Sequence, residues 1–145
     1  MPILDNPKIL LITDDAAEES HATHILAKYH FSNLLVKLRR SADAMKFFLA
    51  YNSMEKNPSE SLPELIIMNL RDAGRINLSM AVESRRGVLS SIPLIMVVES
   101  RGEEEEIRNL SLPLTTCITR PIGFFKLLEG MQKLGMRWIV LRPNA

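Results

Sequence analysis

The chain has 145 residues, 46% of them hydrophobic and 24% charged, with a formal net charge of +1. This is the length and balance of one globular domain with a substantial core, and a charge so near zero gives no electrostatic reason to expect nucleic acid or an acidic membrane surface as partner. A single cysteine, Cys117, excludes an intramolecular disulfide and suits a reducing compartment, and no apolar run approaches the roughly 18 residues of a membrane span.

The N-terminal residues lack the basic-then-apolar pattern of a leader, so a cytoplasmic location is expected. Lys8 to Ile12 reads as a compact apolar strand that ends at Thr13-Asp14-Asp15. From Ala16 to Tyr29, apolar Ala22, Ile25, Leu26 and Tyr29 recur at spacings of three and four, which predicts a helix. Asp15 followed by Glu18 fits a capping box, so Asp15 has two readings, helix cap or pocket carboxylate. Phe31 to Leu38 is the second expected strand. Ser41 is placed to cap a helix carrying Ala44, Met45, Phe48 and Leu49, and the polar stretch Tyr51 to Leu62 reads as a loop, long for a compact domain.

The third strand is the centre of the pattern. Leu65 to Met68, between Pro63 and Asn69, is an unbroken apolar run and predicts a strand buried on both faces. Arg71 to Asn77 reads as a polar loop and Leu78 to Leu89 as a helix, with Met80, Ala81, Val82 and Val88 for packing and Gly87 weakening its last turn. Pro93 to Val98 is a fourth strand, followed by Glu99 and Ser100. Glu103 to Glu106 is expected as the solvated first turn of a short helix, where the macrodipole favours negative charge. Leu114 to Thr119 is the last strand and ends at Arg120-Pro121. Phe124 to Leu134 carries Phe124, Leu127, Leu128, Met131 and Leu134 on one helical face, and Gly135 ends or interrupts that helix ahead of a tail containing Trp138.

Alternating strands and helices with uniformly apolar strands predict an α/β fold, a five-stranded parallel sheet of order 2-1-3-4-5 with helices on both faces, flavodoxin-like. Residues 1–145 are expected as one domain with 136–145 as a tail. In open sheets of this kind ligands and chemistry gather at the carboxyl ends of the strands. That rule brings Thr13, Asp14, Asn69, Val98 and Arg120 to one edge.

Four segments in order, Lys-Ile-Leu-Leu-Ile-Thr-Asp-Asp at 8–15, Pro-Glu-Leu-Ile-Ile-Met-Asn-Leu at 63–70, Ile-Pro-Leu-Ile-Met-Val-Val at 92–98 and Ile-Thr-Arg-Pro at 118–121, make the chain resemble a response-regulator receiver domain over nearly its whole length. The long loop and the tail resemble the small single-domain regulators that partner phytochrome-type kinases. The resemblance implies two acids after the first strand, a phosphoacceptor aspartate ending the third, a Thr or Ser ending the fourth, and a lysine before proline after the fifth. Here those positions hold Thr13 and Asp14, Asn69, Val98 and Arg120, and the signalling aromatic three residues before the lysine is Cys117. Only the second acid, Asp14, is retained.

An aspartyl phosphate needs a carboxylate nucleophile, which the Asn69 amide is not. Mg2+ wants several hard oxygen ligands, and with Thr13 and Asn69 in place of acids its binding is expected to be weak or absent, Asp14 being the one weak candidate ligand. Val98 has no donor for a phosphoryl oxygen, and Arg120 replaces a compact ammonium by a planar fork. An Asp14–Arg120 ion pair with neutral hydrogen bonds from Thr13 and Asn69 is the expected resting arrangement. His21 and His24 could share a metal only with a third ligand that the sequence does not supply, and Cys117 reads as a structural thiol.

These readings favour an atypical receiver, a pseudo-receiver that is not an enzyme, holds no cofactor, and acts as a phosphorylation-independent interaction module in two-component signal transduction. Its expected partners are signalling proteins such as a histidine kinase or a downstream effector, met through the face formed by Glu103 to Leu134. A homodimer seam through Trp138, Ile139 and Val140 is also expected, unless these residues pack back on the domain. Two other readings stay open: a phosphorelay receiver that uses Asp14, Asp15 or Asp72, and a small-anion binder built on Arg120.

Overall fold

The computed structural model describes residues 9–28, 35–53 and 63–136. Its elements are β1 (Ile9–Thr13), α1 (Ala16–Lys28), β2 (Leu35–Leu38), α2 (Ser41–Asn52), β3 (Leu65–Asn69), β4 (Arg71–Asp72), β5 (Arg75–Ile76), α3 (Leu78–Glu83), a 3-10 turn (Gly87–Ser91), β6 (Leu94–Val98), α4 (Arg101–Asn109), β7 (Thr115–Thr119) and α5 (Phe124–Lys133). Five strands form one parallel sheet in the order β2-β1-β3-β6-β7, the order predicted above, and β4 and β5 make a separate antiparallel pair.

The sheet sorts its side chains by the period-two geometry of strands. Leu10, Ile12, Ile66, Met68, Leu94, Met96 and Val98 join Phe48 of α2, Met80 of α3 and Ile107 of α4 on one face. Ile9, Leu11, Leu65, Ile67, Ile95 and Val97 join Ala22 and Leu26 of α1 and Leu127 and Met131 of α5 on the other. Burial of each such aliphatic side chain contributes about 1.5–3 kcal/mol. The continuous apolar runs of β1, β3 and β6 are therefore explained by helices on both sides.

Several local expectations are corrected. The helix expected to run from Leu78 to Leu89 stops at Glu83, and the chain re-forms as a 3-10 turn from Gly87, whose φ of +58° lies in the left-handed region that an α-helix cannot use. Asn77, the last residue of the expected polar loop, caps α3 by accepting from the Met80 N–H. Ser41 is the first residue of α2 and does not cap it; the capping position is Arg40, with no side-chain hydrogen bond. Leu49, expected among the apolar contacts of α2, is 59% exposed. The polar loop from Arg71 to Asn77 contains the β4–β5 hairpin, turned by Ala73 and Gly74 at positive φ.

Other expectations are met. Gly135 at φ +75° ends α5, with the Gly135 and Met136 N–H groups donating to the Gln132 and Met131 carbonyls. Ser100, which the sequence places only after the fourth strand, is found to cap α4 by accepting from the Glu103 N–H. Tyr29, the first residues of the second expected strand, most of the long loop and Trp138 with its neighbours Ile139 and Val140 lie outside the described residues. No helix among the described residues is long and apolar enough to cross a membrane.

Candidate functional site

The parallel register sets Thr13 directly beside Asn69, the last residues of β1 and β3. Both are buried, Asn69 to 2% exposure, at the carboxyl edge of the sheet. Between them and solvent comes Glu18, from the first turn of α1. Helical side chains lean toward the N-terminus of their helix, so Glu18 reaches back over the strand ends. It is 7% exposed.

Glu18 is where the site closes. Its Oε1 accepts from Asn69 Nδ2 at 2.7 Å and from Thr13 Oγ1 at 2.9 Å. Its Oε2 lies 2.9 Å from Arg120 Nε, a charge contact without the alignment of a hydrogen bond. Arg120, just past β7, also donates through Nη2 to Asp15 Oδ2 at 2.5 Å and through Nη1 to Glu99 Oε1 at 2.7 Å. Its backbone N–H donates to the Val98 carbonyl, which sets the guanidinium at the sheet edge.

Asp15 combines the two roles that the sequence left open. Its Oδ1 accepts from the Glu18 N–H at 3.1 Å and caps α1, while its Oδ2 takes Arg120. The Glu18 N–H, followed by Arg120, holds its carboxyl below the ordinary aspartate range. The capping box is only half formed, because the Glu18 side chain turns to Asn69 and the Asp15 N–H is taken by Thr13 Oγ1 at 3.2 Å.

A second arginine completes the cluster. Arg71 Nε donates to Asn69 Oδ1 at 3.1 Å, and its two terminal nitrogens form a bidentate pair with the Glu103 carboxylate at 2.6 and 2.8 Å. Glu103 Oε1 also accepts from the Glu99 N–H at 2.9 Å. The Arg71 bonds, with backbone help, pull the Glu103 carboxyl down to about 2. The Asn69 amide is thus used on both sides, as donor to a carboxylate and acceptor from a guanidinium.

Two expectations change here. The Asp14–Arg120 pair is not formed: Arg120 holds Asp15, Glu18 and Glu99, and Asp14 is exposed, with its Oδ2 accepting from the Arg71 N–H at 3.2 Å. Asp14 points outward because consecutive residues leaving a strand diverge, so the capping residue Asp15, not Asp14, turns toward Arg120. Glu103 is not a freely solvated first-turn acid, since Arg71 comes within reach once the β4–β5 hairpin folds over.

Val98 and Cys117 do not join the polar cluster. Val98 is fully buried in the core shared with α2 and α4. Cys117, paired in register with Met96, lines a cavity of about 280 Å³ with Glu104, Ile107, Arg108, Thr115 and Lys133. Burial pushes its thiol up to about 11, which keeps it protonated and poorly nucleophilic.

Glu18, Arg71, Glu99 and Glu103 were missed as cluster residues. Glu18 carried a usable signal: it lies four positions before Ala22 and eight before Leu26, on the buried face of α1. Arg71 and Glu103, separated by 32 positions, carried none. His21 and His24 are exposed on α1, and no three His, Cys, Asp or Glu side chains among the described residues are grouped to hold a metal.

No protein-family model matches the chain. Response regulator Rcp1 of Synechocystis sp. is 22% identical over 140 residues, spanning 93% of both chains. Among solved structures, the bacteriophytochrome response regulator RtBRR superposes with a TM-score of 0.74 at 23% identity, over 98% of this chain and 85% of that one. The bacteriophytochrome response regulator AtBRR gives the same score and identity over 97% and 99%. With the sheet order, the register of Thr13 beside Asn69 and these superpositions in hand, the chain has the fold of a response-regulator receiver domain and is similar over most of its length to bacteriophytochrome response regulators.

Proposed function

We propose that the chain is an atypical receiver, a pseudo-receiver that works in two-component signalling as a phosphorylation-independent interaction module and not as an enzyme. One observation carries this reading: the residue at the phosphoacceptor position, Asn69, is an amide, buried and hydrogen-bonded on both sides. It has no carboxylate oxygen to attack a phosphoryl group, and its two polar ends are committed to Glu18 and Arg71.

The donor set does not fit the Mg2+ that the fold family implies. A divalent ion needs several hard oxygens turned toward one point, whereas Asp15 and Glu18 face Arg120, and Asn69 Oδ1 accepts from Arg71. A cation entering there would have to displace a guanidinium from its carboxylates. Arg120 thus takes the place of metal charge, so binding of Mg2+ is weak or absent.

The partners of this reading are a histidine kinase or a downstream effector, as expected of regulators related to phytochrome-type kinases. Phe125, 82% exposed at the start of α5 and edge-on to Phe124, supports a docking role for the α4–β7–α5 side. One observation favours a second reading, a phosphorelay receiver using Asp14: that carboxylate is exposed and bonded to a backbone N–H instead of a guanidinium.

Incubation with acetyl phosphate and Mg2+, followed by intact mass, tests the proposal. No phosphoryl adduct is expected. An adduct that persists at neutral pH, is cleaved by hydroxylamine and vanishes in Asp14→Asn would overturn it in favour of the second reading.

A further inference from the structure

Four side chains from four elements, α1, β3, β4 and α4, are joined end to end across the sheet edge. Glu18 of α1 accepts from Asn69 of β3 at 2.7 Å, Asn69 accepts from Arg71 of β4 at 3.1 Å, and Arg71 clasps Glu103 in the first turn of α4 at 2.6 and 2.8 Å. We propose that this chain of contacts is a built-in mechanical relay, in which the Asn69 amide couples the buried carboxylate of α1 to the position of α4.

The polarity of the links argues for a relay over a set of independent bonds. Each member orients the next: the Glu18 carboxylate draws the Nδ2 end of the amide, which leaves Oδ1 facing Arg71, and that acceptor aims the guanidinium fork at Glu103. The Asn69 amide donates to an acid on one side and accepts from a base on the other, which an ionised aspartate, an acceptor only, cannot do. Thr13 Oγ1 and Arg120 Nε fix the Glu18 end, so the carboxylate does not drift. The Glu99 N–H fixes the Glu103 end. Charged bonds in a partly buried setting are the stronger kind and are little screened by salt.

The relay gives α4 a stability set from outside itself. Among its described contacts with the core, α4 buries Ile107 fully, and its remaining turns face solvent or the cavity beside Cys117. A nine-residue helix is marginal without tertiary anchoring, so loss of the Arg71 clasp loosens it while α2, held by Ala44, Phe48 and Tyr51, stays fixed. The relay is a property of the folded chain and its test needs no partner.

Amide hydrogen exchange on the full chain tests it. In Glu18→Ala, the amides from Glu103 to Ile107 are expected to exchange at least about tenfold faster while those of α2 stay within about twofold, the signature of a local opening. The same change placed in an Arg71→Met background is expected to add nothing further at α4. Should Glu18→Ala fail to fold, Glu103→Gln, which alters the partly exposed end, is expected by reciprocity to speed exchange at the amides of Glu18 and Glu19. Equal acceleration in α2 and α4, a full additional effect in the Arg71→Met background, or unchanged Glu18 and Glu19 amides in Glu103→Gln would each overturn the relay.

Discussion

Replacing Asn69 by aspartate keeps the side-chain volume and the bond accepted from Arg71, but it turns the donor facing Glu18 into a second carboxylate 2.7 Å away. Loss of the hydrogen bond and like-charge repulsion are expected to cost about 1–3 kcal/mol at neutral pH. The sign with pH follows. The crowded acids have a raised pKa in the folded variant, so protonation favours folding and the deficit shrinks as pH falls; urea midpoints at pH 7 and 5 measure it. Glu103 acts the other way. Its carboxyl is depressed from 4.5 to about 2 by Arg71, so its contribution is complete above the unfolded value and is lost as pH falls from about 4.5 toward 2. Glu103→Gln should abolish that part of the acid sensitivity, seen as a flatter dependence of the urea midpoint across the same range.

Among the elements, the strands behaved as their composition dictated, whereas the end of α3 and the cap of α2 did not. β1, β3 and β6 are buried at every position, which is why unbroken apolar runs located them. The false extension of α3 arose because Val82 and Val88 suit either side of a break, and the break depends on Gly87. A side chain there would meet the left-handed backbone at φ +58° and the Asn52 Oδ1 at 2.5 Å, so Gly87→Ala is expected to lower stability by about 1–3 kcal/mol in thermal or urea unfolding. Leu127, 2% exposed on the inner face of α5, should cost about 2–5 kcal/mol when truncated to alanine, because the helix is held to the sheet by that stripe.

At the scale of the molecule, the carboxyl edge of the sheet joins α1, β3, α4 and the end of β7 through two arginines, while Phe125, the most exposed large apolar side chain among the described residues, lies outside that cluster. The two regions should separate by mutation. Phe125→Ala is expected to leave the urea midpoint unchanged within about 0.5 kcal/mol of stability and to weaken capture of a cognate histidine kinase or effector in a binding assay. The cluster variants should do the reverse and act first on stability.

The fold was written in the sequence because a doubly wound sheet needs continuous apolar strands at regular intervals, and those are visible one residue at a time. The strand-end positions Thr13, Asn69 and Arg120 were legible for the same reason: the carboxyl ends of parallel strands must meet. The partners of those residues were not. Arg120 could be seen to want an acid, but whether it took Asp14, Asp15, Glu18 or Glu99 depended on how α1 leaves β1 and on how Glu18 folds back over the sheet. The Arg71–Glu103 clasp spans two elements that approach only after the hairpin and α4 have packed. Local periodicity and hydrophobicity decide which segments form; pairing of charges across elements is decided by distance in space, which only the assembled fold supplies.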